Sequence, residues 1–557
     1  MKKIDVFKDY ENTRVVHYTE LDSYLGESVP WDKLPETVVE GTPLSIRRKE
    51  DGKLYVNTVP DTHVLTIGAT RSGKTQSFVI PYGSFLATRK NKCSMVFTDP
   101  KLEIFDSLAP TLAEQGYRII LLNFVNPSES DRWNPFTPIF DLYQRYLHVE
   151  DEVDAILENG NYYSVFRGKK YSDDTRLSYA INAERKSILY EVQARVEEIS
   201  NVMCPPTQDK DASWMNGARS IFKGLIFSML EDSVPSDKYT VITRDTFSLS
   251  TLLEIYDRIG RADNAFTDEY FDRRDKNTSI AYRLVQRFMF IKAEVTKDGY
   301  MSTLATAMTK INDGAIRQIT CANTFSFSDF DDDKQPCAVF IAMKDETKLY
   351  YDIIGLFLTD LYKNLINMTR QNGNRPRKSP FYFVLDEFGN MPKFNDFDSV
   401  ITACGGRNIW FWLIIQSYAQ LDNVYGQNNA KIIKDNLNMH VFLGTNNPET
   451  KKEFSHECGE HTIYSAMSAV NGEGEHIAQY QKETIPVIPV STLSCLAVGE
   501  CIITRMNSDV TWSRLERYYM CPELSKDNKP PYVYESDFIL GDPKYEYVPK
   551  STRANFD

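Results

Sequence analysis

Short, mostly apolar runs crowd two stretches of this sequence and nearly vanish between them. The first stretch holds Val64–Ile67, Cys93–Asp99 and Tyr117–Phe124; the second holds Ala338–Met343, Phe381–Leu385, Ile409–Ile415, His440–Leu443 and Cys501–Arg505. Runs of this length predict buried strands, because a strand covered on both faces need not alternate apolar with polar. A helical pattern over Ile104–Gly116 separates the second run from the third, and strand, helix, strand at that spacing is the grammar of a parallel sheet. From about 140 to 300 the period changes: Ile181, Ile188, Val192, Val196, Ile199 and Met203 recur at helical spacing. Ser213–Leu230 reads as another helix there, and Thr251-Leu-Leu-Glu254 as a capping box opening a third. The pattern predicts an α/β fold with a mostly parallel central sheet, interrupted by an inserted all-α domain.

Smaller features fill in the order. Residues 1 to about 40 are polar and show no period, and Pro43–Asn57 reads as a hairpin around Asp51-Gly52. Pro81 should break the helix that follows the first run. Ser465–Thr484 reads as a polar, glycine-bearing loop, and the chain after Pro522 as an extended or disordered surface tail.

Composition narrows the classes. With 557 residues the chain should hold two or three domains, and 42% hydrophobic residues support a large core. Nine scattered cysteines without a C-x-x-C pair read as reduced thiols. A net charge of −13 argues against a broad basic surface for duplex DNA, though not against a locally basic ring channel. The short basic clusters Arg47-Arg48-Lys49, Arg89 to Lys92, Arg273-Arg274 and Arg375 to Lys378 read as solvated loops. His456, Cys458 and His461 lack a fourth ligand, so ordinary surface and core roles are favoured over zinc. No window of 18 apolar residues occurs, and neither a signal peptide nor a transmembrane helix is expected.

The chemistry begins where the first run breaks. Gly68-Ala69-Thr70-Arg71-Ser72-Gly73-Lys74-Thr75 has the spacing of a phosphate-binding loop. The glycines permit the tight turn that aims backbone N–H groups at an anion. Lys74 would reach the β- and γ-phosphates, and Thr75 would offer its hydroxyl to Mg²⁺. Phe381-Tyr-Phe-Val-Leu385 ends in Asp386-Glu387. Beside a phosphate loop this is a Walker B strand, with Asp386 placed for Mg²⁺ and Glu387 for the attacking water. Gln416, ending the next strand, can sense the γ-phosphate at the same edge. Arg407, on the loop before that strand, is either a surface residue or one that reaches a neighbouring subunit's nucleotide. ATP and Mg²⁺ are the expected ligands; no Asn-Lys-x-Asp segment supports guanine. The expected domains are an N-terminal segment with the hairpin (1–60), a nucleotide-binding domain in two parts (61–139 and 301–524), the helical insertion (140–300) and a C-terminal tail (525–557).

These motifs, together with Asp99-Pro100-Lys101, Trp133-Asn134-Pro135-Phe136, Leu385 to Gly389, Gly406-Arg407 and Gln416 to Leu421, resemble the type IV coupling proteins of bacterial conjugation and type IV secretion. The resemblance covers about His63 to Leu524. It implies a RecA-like P-loop ATPase, assembled as a homo-hexamer, with Arg407 as an arginine finger acting in trans. It implies single-stranded DNA, a relaxase or relaxosome, and components of the type IV secretion channel as partners, with the helical insertion meeting the relaxase. Family members commonly begin with transmembrane helices. This chain shows none, so it is expected in the cytoplasm, at the inner face of the membrane only through a partner protein. The expected function is ATP-driven pumping of single-stranded DNA into the secretion channel. The alternatives are another RecA-like hexameric DNA translocase, or a nucleotide-gated substrate receptor without motor activity.

Overall fold

A computed structural model describes residues 14–158, 161–206, 212–235, 241–259, 270–344, 347–391, 393–394, 396–470, 476–524 and 532–534. They divide into two compact units. The first takes in the described residues within Met1–Leu121, Ser326–Glu346 and Thr359–Glu535, the second those within Leu122–Phe325 and Thr347–Leu358.

A ten-stranded sheet organises the first unit. In spatial order its strands are Val15–His17, Val510–Arg514, Glu500–Arg505, Met439–Gly444, Val64–Gly68, Ile409–Ile415, Phe381–Leu385, Ser94–Asp99, Cys337–Ala342 and Arg118–Asn123. Pairing is parallel from Met439–Gly444 through to Cys337–Ala342, and antiparallel where Glu500–Arg505 joins its two neighbours. Both faces are covered. Trp412 is fully buried against Phe78 and Tyr82, with ring centroids 6.2 and 5.5 Å away, while its neighbour Phe411 stacks on Phe383 at 4.5 Å. Burial of both parities is why these strands read as continuous apolar runs.

The helix after the phosphate loop does change character near Pro81. Lys74–Val79 is a π-helical turn, and α-helix begins at Ile80 and runs to Thr88. Proline lacks the N–H needed to continue a ladder, so a change of hydrogen-bond register falls there without loss.

The second unit is mainly helical. Its longest helix, Asp174–Met203, is capped by Asp173, which accepts from the N–H of Thr175 at 2.8 Å, and buries all six residues of the predicted stripe. Three expectations are corrected here. The insertion is not all-α: Asp154–Glu158, Asn161–Phe166 and Lys169–Tyr171 form a small antiparallel sheet, too short and polar to register as strands. Its limits are wider than 140–300. Main-chain bonds between Trp133 N and Ile319 O (2.8 Å) and between Thr324 N and Arg132 O (3.1 Å) tie the start of the unit to its end. Trp133 to Phe136, expected within the nucleotide-binding domain (61–139), therefore lies in the second unit. The helix expected at Thr251 begins at Leu249, because Ser248 Oγ accepts from the N–H of Thr251.

Elsewhere in the first unit, the aperiodic N-terminal stretch is not separate from the sheet. Val15–His17 forms its edge strand, and Leu21, Trp31 and Leu34 are buried. The hairpin around Asp51-Gly52 is present, as Thr42–Arg48 against Leu54–Val59. The described part of Ser465–Thr484 is strand, not loop: Glu460–Val470 and His476–Pro486 pair as a two-stranded antiparallel ribbon, and residues 471–475 lie outside the described residues. Most of the tail beyond Leu524 lies outside the described residues.

Several basic clusters turn inward. Arg47 and Lys49 pair with Asp22, and Arg48 pairs with Glu523. Arg89 is fully buried beside Tyr382. Arg273 and Arg274 share Asp232 at 2.6 and 3.0 Å, and Arg377 holds Asp332 at 2.9 Å. Arg47, Arg273, Arg274 and Arg377 are held against carboxylates with little of the side chain exposed, which is how a buried guanidinium is tolerated, so these are structural residues and not the solvated loops their clustering suggested.

Candidate functional site

The phosphate loop leaves the sheet at Gly68, between the ends of Met439–Gly444 and Ile409–Ile415. A side chain at Gly68 would put a Cβ 2.5 Å from Ser72 Oγ and Lys74 Cγ, so only glycine fits. Gly73 has φ +89°, a left-handed conformation that glycine adopts without strain. The loop is pinned at its base by Ala69 N donating to Gly444 O at 2.7 Å, and closed by Ser72 N donating to Ala69 O at 3.0 Å. Ser72 Oγ is buried with no hydrogen-bond partner among the described residues. A cradle that excludes Cβ, and holds an orphaned hydroxyl beside a buried lysine, fits a phosphate chain.

Two strands away, Phe381–Leu385 delivers Asp386 and Glu387 to the same edge. Glu387 takes a left-handed φ of +54°, a conformation that costs a non-glycine residue about 1–2 kcal/mol. Three donors hold it there. Lys74 Nζ donates to Oε1 at 2.7 Å, while Gln416 Nε2 and Asn390 Nδ2 donate to Oε2 at 2.9 and 3.0 Å. Thr75 Oγ1 donates to Asp386 Oδ2 at 3.4 Å, the pair expected to hold Mg²⁺. Thr98 Oγ1 donates to the carbonyl of Asp386 at 2.8 Å, locking the strand end.

Burial shapes the electrostatics. Asp386 is pushed up to about 6 by desolvation, with Glu387 adding repulsion and Lys74 opposing both. Asp99, at the end of the adjacent strand, is pushed up to about 7 by burial, offset partly by the N–H groups of Phe105, Ile104 and Lys101. Two buried acids that resist ionisation form a set of hard oxygens that a small divalent cation would stabilise, so Thr75 and Asp386 fit Mg²⁺.

The structure thus brings together Gly68, Ala69, Thr70, Arg71, Ser72, Gly73, Lys74, Thr75, Asp386, Glu387 and Gln416. It does not bring Arg407. That residue lies in the turn Gly405–Arg407, at the N-terminal end of Ile409–Ile415, with Nη1 donating to Ala403 O at 2.6 Å. A strand of seven residues, roughly 23 Å long, separates it from this chain's own phosphate loop. A residue before a parallel strand belongs to the edge opposite the phosphate loop, so Arg407 is not part of this chain's own site.

Residues that sequence reasoning missed complete the edge. Asn390 steadies Glu387, and Gln420 Oε1 accepts from the N–H of Gln416 at 2.8 Å. Asn390 stands three residues after Glu387 and Gln420 four after Gln416, so one turn's spacing was the available signal.

The family described as "Type IV secretory system Conjugative DNA transfer" matches residues 31–482. Protein VirD4 of Rhizobium rhizogenes is 21% identical over 474 residues, and VirD4 of Agrobacterium fabrum 20% identical over 472. Each alignment covers 84% of this chain and 60% of the relative, so the chain spans about 60% of their length. Among solved structures, plasmid coupling protein TrwB in complex with the ATP analogue ADPNP aligns with a TM-score of 0.57 at 15% identity, over 95% of this chain and 98% of that one. TrwB in complex with ADP and Mg²⁺ aligns with a TM-score of 0.55 at 15% identity, over 91% and 94%. At this identity the likeness establishes the RecA-like α/β fold.

One consequence of the site's burial is measurable without ligand. Asp386 keeps its proton to about pH 6 in the folded chain, against 3.8 for the free group. The stability this contributes is complete below about pH 4 and is lost as the pH rises through 6. Asp386→Asn should therefore flatten the decline in unfolding free energy across that window, followed by denaturant titration. An unchanged pH slope would mean that the carboxyl ionises normally.

Proposed function

The chain belongs to the type IV secretory system conjugative DNA transfer family, and from that premise we propose that it is an ATP-driven coupling protein. In this reading it hydrolyses ATP at the Lys74–Glu387 edge and drives single-stranded DNA, with its attached relaxase, toward a type IV secretion channel. The observation that carries the reading is the closed constellation of Lys74, Glu387 and Gln416, with Thr75 and Asp386 beside it. A receptor that only bound nucleotide would have no chemical use for a second carboxylate held by three donors.

Each residue then has a task. The loop N–H groups and Lys74 would hold the phosphates, and Thr75 and Asp386 would hold Mg²⁺. When bound, the cation supplies charge neutralisation on the phosphate oxygens. Glu387 would accept a proton from the attacking water, and Gln416 and Asn390 keep its second oxygen oriented. Lys74 can serve a γ-phosphate only by loosening its bond to Glu387. The residue that takes up substrate is thus the one that releases the base.

Arg407 cannot reach its own chain's loop, which supports a role across a subunit boundary in a homo-hexameric ring. The second unit is the proposed meeting place for the relaxase. Cross-links from a bound relaxase that fall outside residues 122–325 and 347–358 would remove that assignment. No helix among the described residues is long and apolar enough to cross a membrane, and attachment to the inner face of the membrane is proposed to run through a partner protein.

Two experiments test the chemistry. Glu387→Gln should bind ATP yet hydrolyse it at least ~10²-fold more slowly, the usual scale of a general base; undiminished single-turnover hydrolysis would assign the base elsewhere. Arg407→Ala should bind ATP normally but turn over poorly, and mixing it with Lys74→Ala should restore part of the rate. Mixed rings, shown to form, with no recovery would remove the trans role.

A further inference from the structure

Outside the phosphate loop lies a charge that neither the motifs nor the mechanism above uses. The chain leaves its last sheet strand, Val510–Arg514, and passes Gly73 with Arg517. The guanidinium Nη2 and Nε stand 3.8 and 3.9 Å from where a Cβ on Gly73 would be. Ser77 Oγ, one turn into the following helix, is 3.4 Å from the same point. Arg517 thus flanks the seam between loop and helix.

Its backbone is held firmly. Glu516 N donates to Ile46 O at 3.0 Å, and Met520 N donates to Arg517 O at 3.0 Å. The head group is held less completely. Nη1 donates to Tyr519 Oη at 2.7 Å, whereas Nε is buried with no hydrogen-bond partner among the described residues. The neighbouring carboxylate, Glu516, pairs with Arg514 at 3.5 Å, and no acid pairs with Arg517 among the described residues. Lys74, by contrast, is committed to Glu387. A half-buried guanidinium with spare donors and no counter-ion, set against a phosphate loop, is a site for an anion.

We propose that Arg517 is a nucleotide-binding residue acting in cis, gripping the α- and β-phosphates of the nucleotide held in its own chain's loop. The proposal rests on the ATP-site reading above. The position selects those phosphates because the loop and first helical turn cradle the α/β end, while the loop lysine serves the β/γ end. Arg517 would then hold ADP as firmly as ATP and contribute little to the chemical step. That separates it from Arg407, whose proposed charge acts on the γ-phosphate of a neighbour.

The test is titration of fluorescently labelled ADP and ATP into the full chain carrying Arg517→Ala, Arg517→Lys or Arg517→Gln, with steady-state turnover measured alongside. Arg517→Ala should weaken both nucleotides roughly 10- to 100-fold, the scale of one lost charged hydrogen-bonding group. Its kcat should stay within about twofold of wild type, and Arg517→Lys should recover most of the affinity. Unchanged ADP affinity in an Arg517→Ala protein of wild-type melting temperature would overturn the proposal. So would a fall in kcat with affinity intact, which would place the charge at the γ-phosphate. If the alanine variant does not fold, equal ADP affinities for Arg517→Lys and Arg517→Gln would overturn it. Glu387→Gln run in parallel separates two failures: wild-type turnover there removes the hydrolysis reading itself, whereas normal ADP binding by Arg517→Ala beside an inactive Glu387→Gln removes only this inference.

Discussion

The bond between Lys74 and Glu387 is the constraint on which the rest of the site depends. Lys74 is only 6% exposed, and a buried ammonium is strongly destabilising unless an opposite charge meets it. Its partner is 313 residues away in the chain. Only the sheet can bring the two together. The phosphate-loop strand and the Phe381–Leu385 strand both pair with Ile409–Ile415, so their ends stand two strand spacings apart, roughly 10 Å. An extended lysine and glutamate bridge that gap, and Gln416, at the end of the strand between, meets Glu387 from the middle. Strand order is therefore what turns separate sequence motifs into one site.

The same bond makes the ligand-free site self-satisfied. Glu387 is held in a left-handed conformation by Lys74, Gln416 and Asn390, and Asp386 and Asp99 are buried with their acidity suppressed. In the proposed mechanism a triphosphate with Mg²⁺ exchanges these contacts for its own. Lys74 would turn from the base to the phosphates, and the cation held by Thr75 and Asp386 would supply the positive charge that the buried acids lack. Binding and activation of the base are then one event, which would limit idle proton transfer before substrate is in place. Arg407, a strand's length from this edge, fits such a site only as a contribution from another copy.

Legibility in the sequence followed from how local the physics was. The phosphate loop, the paired acids and Gln416 were readable because backbone geometry demands those residues at short, fixed spacings. The central strands were readable because burial on both faces leaves continuous apolar runs such as Ile409–Ile415. What escaped depends on distant partners. Val15–His17 is an edge strand only because Val510–Arg514 is there to pair with it, and Arg273 and Arg274 looked solvated until Asp232 appeared beneath them. Glu460–Val470 is a strand only because His476–Pro486 is there to pair with it. Arg517 comes to Gly73 from the far end of the unit, and no spacing rule connects them.

The central claim is that the Lys74–Glu387 edge is an ATP-hydrolysing site whose work is coupled to DNA. The most direct measurement is steady-state ATP hydrolysis by the full chain and by Lys74→Ala, with and without single-stranded DNA, over a range of protein concentrations. The account predicts Mg²⁺-dependent turnover by the wild type, rising with DNA and more steeply than linearly with protein, and none by Lys74→Ala. Equal turnover by the two proteins would contradict it.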